Sequence, residues 1–421
     1  MVGLRPCRVS PCALRAGKIA GVDFHAPVAD AAPAPPSDRG GARAERDLRL
    51  DFFRGLSLFF IFIDHVPGNL LAYATFHALA FSDAAEVFIF ISGFTAALVY
   101  GRSLMRNGAL VAAAQIYRRV WQLYVAHIFL FVIFVAEVSY SVLVVHNAMY
   151  LEEMRVANFL ETPHLAVMRA LLLLFQPAFL DILPLYIVLL GGFPLVLLGL
   201  RWHRLLPLAV SALLYGATLL LGWTPRTFPS GAPWFFNPLA WQLLFVIGAT
   251  AGFSRVDGVW PFPSGRWFRM LAVAIAAICT LISLDWTVHF LYDPFPAVLA
   301  KQLWTHTLDK TDLAPLRLVD FLAIAATTMI FVRPESGFLR ARWARPLIVC
   351  GQHSLYVFCL GIVLAVLGHF ILSEFYDGLA MQVVVNVVGF AAMIGLAYLL
   401  EWYKLALRRA PTSRAAVVHP E

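Results

Sequence analysis

Arg54 and His65 stand in the apolar run RGLSLFFIFIDH with ten residues between them. Eleven helical steps of roughly 100° bring the two side chains to within about 20° on one face, about 16 Å apart along the axis. Ionisable groups in so apolar a run are costly and point to function. An imidazole suits proton transfer near neutral pH, and a guanidinium suits an anion such as phosphate. Two acids follow in FSDAAEVFIFISGF, Asp83 and, nearly a turn later, Glu86. Glu86 held against His65 would fix its tautomer and stabilise the imidazolium formed when a hydroxyl is deprotonated. Seven positions further, Gly93 lies on nearly the same face as Glu86, where it would either open a narrow passage or serve helix packing, with Ser92 beside it facing elsewhere.

The elements that must position these residues are membrane helices. Hydrophobic residues make up 61% of the 421, charged residues 14%, and the mean hydropathy is +0.76, far from a soluble average. The pattern predicts an all-α, polytopic membrane protein. Apolar runs long enough to cross roughly 30 Å of hydrocarbon lie near 52–72, 84–101, 119–145, 181–200, 205–222, 237–253, 269–291, 316–332, 346–371 and 379–402, about ten spans in all. The stretch 165–179, flanked and broken by Pro177 and Pro184, reads as an interfacial or re-entrant piece. Arginine and lysine set the orientation, because basic residues near helix ends stay in the cytoplasm. Alternate loops carry Arg102, Arg106, Arg118 and Arg119, then Arg201 and Arg204, then Arg255, Arg266 and Arg269, then Arg333, Arg340, Arg342 and Arg345. Arg43, Arg46 and Arg49 before the first span and Lys404, Arg408 and Arg409 after the last fall on the same side, so both termini are expected in the cytoplasm. The opposite loops hold only Arg155, Arg169, Arg226, Lys301, Lys310 and Arg317. Retention of this kind accounts for the net charge of +7 and leaves no call for a nucleic-acid partner.

Residues 1–47 are rich in Ala, Pro, Gly and Arg and read as a disordered cytoplasmic tail; 48–405 form the membrane domain, and 406–421 a short cytoplasmic tail. Cys7, Cys12, Cys279, Cys350 and Cys359 show no metal or disulfide spacing. With the first helix running outward and the second inward, His65, Asp83 and Glu86 fall at similar depth in the outer half. Asp181, Tyr186, Asn237, Gln242, Asp285, His289, Arg317 and Asp320 fall at outer helix ends and would line an outward cleft, with Asp181 and Asp320 foremost. The aromatics of GAPWFFNPLAW suit an interfacial belt better than sugar stacking. His353 in GQHSLYVF would lie near the cytoplasmic end of the ninth span.

The segments RLDFFRGLSLFFIFIDHVPGN, FSDAAEVFIFISGF, FLDILPLYIVLL, WFFNPLAWQLLFVIG and GQHSLYVFCLG resemble, in order from about 48 to 405, the OpgC family, which succinylates osmoregulated periplasmic glucans. That family is in turn similar to the wider acyltransferase-3 group, whose first helix carries Arg, ten residues, His, and whose second carries an acid six before an SG(F/Y) element. Arg54, His65, Glu86, Ser92, Gly93 and Phe94 match those positions. The resemblance implies acyl transfer across an inner membrane: a cytoplasmic acyl-CoA donor, succinyl-CoA foremost, with no resident cofactor or metal, and a periplasmic glucan acceptor. His65 would be the general base with Glu86 beside it, Arg54 would meet the donor's cytoplasmic end with Arg118 and Arg119 nearby, and Ser92, Gly93, Asp83, Asp181, Asp320 and His353 would bind substrate. Arg317 would read the distal succinyl carboxylate. Whether an acyl-His65 intermediate forms is left open by the resemblance. A proton-coupled transporter, which calls for inverted repeats or broken helices at matching positions, and a non-catalytic membrane protein are the alternatives.

Overall fold

The computed structural model describes residues 47–147, 149–228, 230–292 and 307–409. Residues 1–46 and 410–421 of the expected tails, with Cys7 and Cys12, and also Lys301 and the His289 side chain, lie outside the described residues, whereas 406–409 of the expected C-terminal tail continue the last helix. The described chain is helical, with one isolated bridge between Arg226 and Pro233 and no strand.

Helix α1 (Leu48–Asp64) starts on an Asp47 cap whose side chain accepts from the Arg49 backbone, an arrangement that satisfies one otherwise orphaned donor. It stops well short of the expected residue 72. Pro67 disfavours helical geometry at the residue before it and offers no N–H, and Gly68 then turns the chain at φ 68°. The link to the next span holds a 3₁₀ turn at Leu70–Ala74 and the four-residue α2 (Phe76–Leu79). Helix α3 (Ala84–Asn107) begins on a capping box, in which the Asp83 side chain accepts from the backbone inside the helix and Glu86 accepts from the Asp83 backbone. Two orphan donors are satisfied reciprocally.

Helix α4 (Ala109–Val145) follows, then the short α5 (Met149–Glu153), α6 (Ala157–Glu161) and α7 (Pro163–Leu171), and then α8 (Ile182–Trp202) and α9 (Leu206–Leu221). The stretch 165–179 is thus the end of a nine-residue helix and an irregular connection, too short in helix to cross a bilayer. The remaining helices are α10 (Pro238–Asp257), α11 (Arg266–Tyr292), α12 (Pro315–Phe331), α13 (Arg345–Gln352), α14 (Ser354–Glu374) and α15 (Leu379–Arg409). Among the described residues, seven helices are long and apolar enough to cross a membrane: α3, α4, α8, α10, α11, α14 and α15. The other expected spans correspond to α1 and α12 at 17 residues each and α9 at 16. The expected span 346–371 is interrupted at His353, which separates α13 from α14.

The most extensive helix pairing joins α3 to α10, and α1 packs chiefly on α13. Both crossings depend on glycine. A Cβ on Gly93 would collide with the Phe245 carbonyl, and one on Gly248 or Gly252 with the carbonyls of Phe90 and Phe94. Small residues four apart let two backbones touch in this way. Gly93 therefore packs against α10 and its open side is filled by backbone, so the passage read from the sequence does not form there.

Candidate active site

His65 caps the C-terminus of α1 in right-handed geometry, at the point where Pro67 ends the helix. Its Nδ1 lies 2.6 Å from the Ile61 carbonyl. A carbonyl only accepts, so Nδ1 carries the proton and Nε2 is left with the lone pair of the neutral ring. Phe179 stands edge-on to the imidazole with centroids 4.7 Å apart, which limits its rotation. His65 lines a cavity of about 310 Å³, together with Asp64, His77, Asp83, Arg155, Phe179, Asp181, Phe235, Phe236 and Lys310. The walls come from the ends of α1, α3 and α8, from α2 and α14, from the turn between α5 and α6, and from the loops that precede α8, α10 and α12. His77, outside the spans on α2, is held below its usual pKa by burial.

Glu86 is fully buried but is not the partner of His65. Its Oε2 accepts from the Asp83 backbone at 2.9 Å, and its Oε1 accepts from Arg317 Nη2 at 2.6 Å and Nε at 2.9 Å. Asp83 Oδ2 takes Lys310 Nζ at 2.5 Å and Arg317 Nη2 at 3.3 Å. Two carboxylates and two cations thus close a compact network at the N-terminus of α3, where the helix dipole also favours the acids. Asp320 holds the same corner from α12, its Oδ2 accepting from the Ser82 backbone at 3.0 Å and the Ser82 hydroxyl at 2.9 Å. Arg317 is buried among its acids, so the expected role in reading a substrate carboxylate does not fit it.

Arg54 reaches across from α1 to α3, where its Nη2 donates to Thr95 Oγ1 at 2.8 Å and more weakly to the Ile91 carbonyl. Ser92 is buried, and its carbonyl accepts from Thr95 Oγ1. His353 pairs with Glu401 of α15, Nε2 to Oε2, at 3.0 Å, at the break between α13 and α14. Asp181 is buried at the N-terminus of α8 and lines the cavity, and its Oδ1 has no hydrogen-bond partner among the described residues. Asn237 and Gln242, expected in an outward cleft, serve the scaffold: Asn237 caps α10 and bonds Trp223 and Asp312, and Gln242 joins Ser211 on α9. Tyr186 packs on Phe88 and Phe245.

Asp64, His77, Arg155, Phe179 and Lys310 were not singled out from the sequence. A signal for two of them was present, since Arg155 and Lys310 belong to the few cations on the side that retention leaves poor in charge. Phe235 and Phe236, assigned to an interfacial belt, line the cavity, with Lys310 Nζ 5.6 and 5.4 Å from their ring centres.

Multiple apolar helices around a cavity lined by ionisable side chains, with a histidine at a helix end, mark a multi-pass membrane protein with a candidate site. Residues 46–405 match the family described as OpgC protein, and the chain belongs to that family. Membership makes it a transferase of glucan modification. No match was found among curated proteins or solved structures.

Proposed function

We propose that the protein is a membrane O-acyltransferase that moves a succinyl or similar acyl group from cytoplasmic acyl-CoA to hydroxyls of a periplasmic glucan, with His65 as general base. The observation that carries this reading is the Nδ1 bond of His65 to the Ile61 carbonyl, which leaves Nε2 as the basic nitrogen in a cavity rich in acids and aromatics. Nε2 takes the proton of a glucan hydroxyl as its oxygen bonds to the thioester carbonyl carbon. The tetrahedral adduct collapses with cleavage of the carbon–sulfur bond, and the imidazolium returns its proton to the departing CoA thiolate. The products are a glucan ester and free CoA.

The free Oδ1 of Asp181 suits a sugar hydroxyl as donor, and Phe179, Phe235 and Phe236 suit the apolar face of a pyranose ring. On the donor side, Arg54 stands about 16 Å of helix from His65, a distance fitting an extended pantetheine arm, with Arg118, Arg119 and His353 as further contacts. Proximity of two oriented substrates and a placed base supplies the rate. The site needs no metal in this reading.

Mass spectrometry of periplasmic glucans from a deletion strain, complemented with wild-type or His65→Ala genes, tests the proposal. Acyl substituents should disappear on deletion, return with wild type, and stay absent with His65→Ala at normal membrane abundance. An unchanged glucan mass on deletion would overturn it.

A further inference from the structure

The cation that the sequence offered for an acyl carboxylate, Arg317, is consumed by Glu86 and Asp83, and Lys310 is shared with Asp83. One more guanidinium lines the same cavity. Arg155 lies in the turn between α5 and α6 with φ 57°, the left-handed region that a non-glycine side chain enters at a cost. Its neighbours fix that geometry. Met154 and Val156 are fully buried on either side. The Arg155 N–H donates to the Glu152 carbonyl, Val156 to Leu151, and Ala178, from the wall that carries Phe179, to Met154. The strained turn thus presents one side chain over the chamber while both neighbours plug into the core. Among the described residues the Arg155 guanidinium has no hydrogen-bond or ion-pair partner, and it is exposed at the cavity wall.

We infer that Arg155 is the acyl-specificity residue of this site, binding the distal carboxylate of a dicarboxylic acyl group whose thioester carbonyl lies at His65. The inference rests on the acyltransferase reading. A planar guanidinium meets a carboxylate through two parallel hydrogen bonds, a geometry that a neutral acyl group cannot use. Division of labour within the chamber follows from charge: the unpartnered Asp181 oxygen suits a hydroxyl donor and repels a carboxylate, whereas Arg155 does the reverse. Lys310, neutralised by Asp83, adds a weaker field of the same sign.

The test compares succinyl-CoA with acetyl-CoA as donors to a neutral glucan, using purified protein in lipid nanodiscs. Arg155→Asn is the informative variant because asparagine tolerates left-handed geometry, and Arg155→Lys keeps the charge without the fork. In Arg155→Asn, kcat/KM for succinyl-CoA should fall about 10- to 100-fold, mostly through KM, with acetyl-CoA changed less than twofold. Arg155→Lys should recover part of the loss. Equal losses for both donors, or unchanged selectivity, would overturn the inference while leaving the acyltransferase reading in place. If wild type transfers neither acyl group, that reading fails and takes the inference with it.

Discussion

The proton on His65 Nδ1 is placed by a backbone carbonyl of its own helix, one turn earlier, and so by the helix itself. Substituting a distant side chain will not rotate the base, but shortening α1 will. His65→Ala should lower transfer by about 10² to 10⁴, the usual range for loss of a placed base, with the protein still inserted; initial rates in membranes of equal protein content measure it. Glu86, by contrast, belongs to the ion network. Arg317→Met removes the main cation from buried Glu86 and the more distant of two cations from Asp83, and breaking such a buried pair typically costs about 3–5 kcal/mol. It should therefore lower the thermal unfolding temperature in detergent along with activity. Asp181→Asn should act differently, raising KM for the glucan with little change in unfolding temperature. A fall in stability as large as that of Arg317→Met would assign Asp181 to the scaffold.

At the scale of helices, the α3 and α10 crossing holds the network in register with α1. Gly93→Val would drive a branched side chain into the Phe245 carbonyl. The expected outcome is loss of a monodisperse peak on size-exclusion chromatography after extraction, which no acyl-CoA restores. Much of the helical architecture was legible because apolar runs and their breakers are local: each expected span overlaps helix, the one at 346–371 two helices, and seven helices among the described residues are long and apolar enough to cross. Two features were not local enough to read. Pro67 cut α1 at Asp64 although the apolar pattern continued through Leu70 and Leu71. The interruption at His353 falls on the polar step Gln352–His353–Ser354 between two apolar runs, where Gly351 meets the Asp51 carbonyl of α1, a tertiary approach that no periodicity announces. The Glu86 partner is hidden for the same reason: helix adjacency and depth point to His65, while the cation that takes Glu86 comes from 231 residues further along the chain.

For the whole molecule, charge bias predicts both termini on the cytoplasmic side. Alkaline phosphatase inserted at 146–147 should be active and at 107–108 inactive; the opposite pattern would invert the topology. The same bias carried useful site information, since two of the cations it left unexplained, Arg155 and Lys310, line the cavity. Three of the expected spans are short as helices. Helices α1 and α12, which carry His65, Arg317 and Asp320, have 17 residues each, about 26 Å at 1.5 Å per residue, and α9 is shorter still. Helices of that length, where they span, require the lipid beside them to thin, at a modest cost per ångström of hydrophobic mismatch. On the proposed reading this couples the site mechanically to the bilayer, and lipids with longer acyl chains should strain the two helices that carry His65 and its ionic neighbours before they disturb the longer ones.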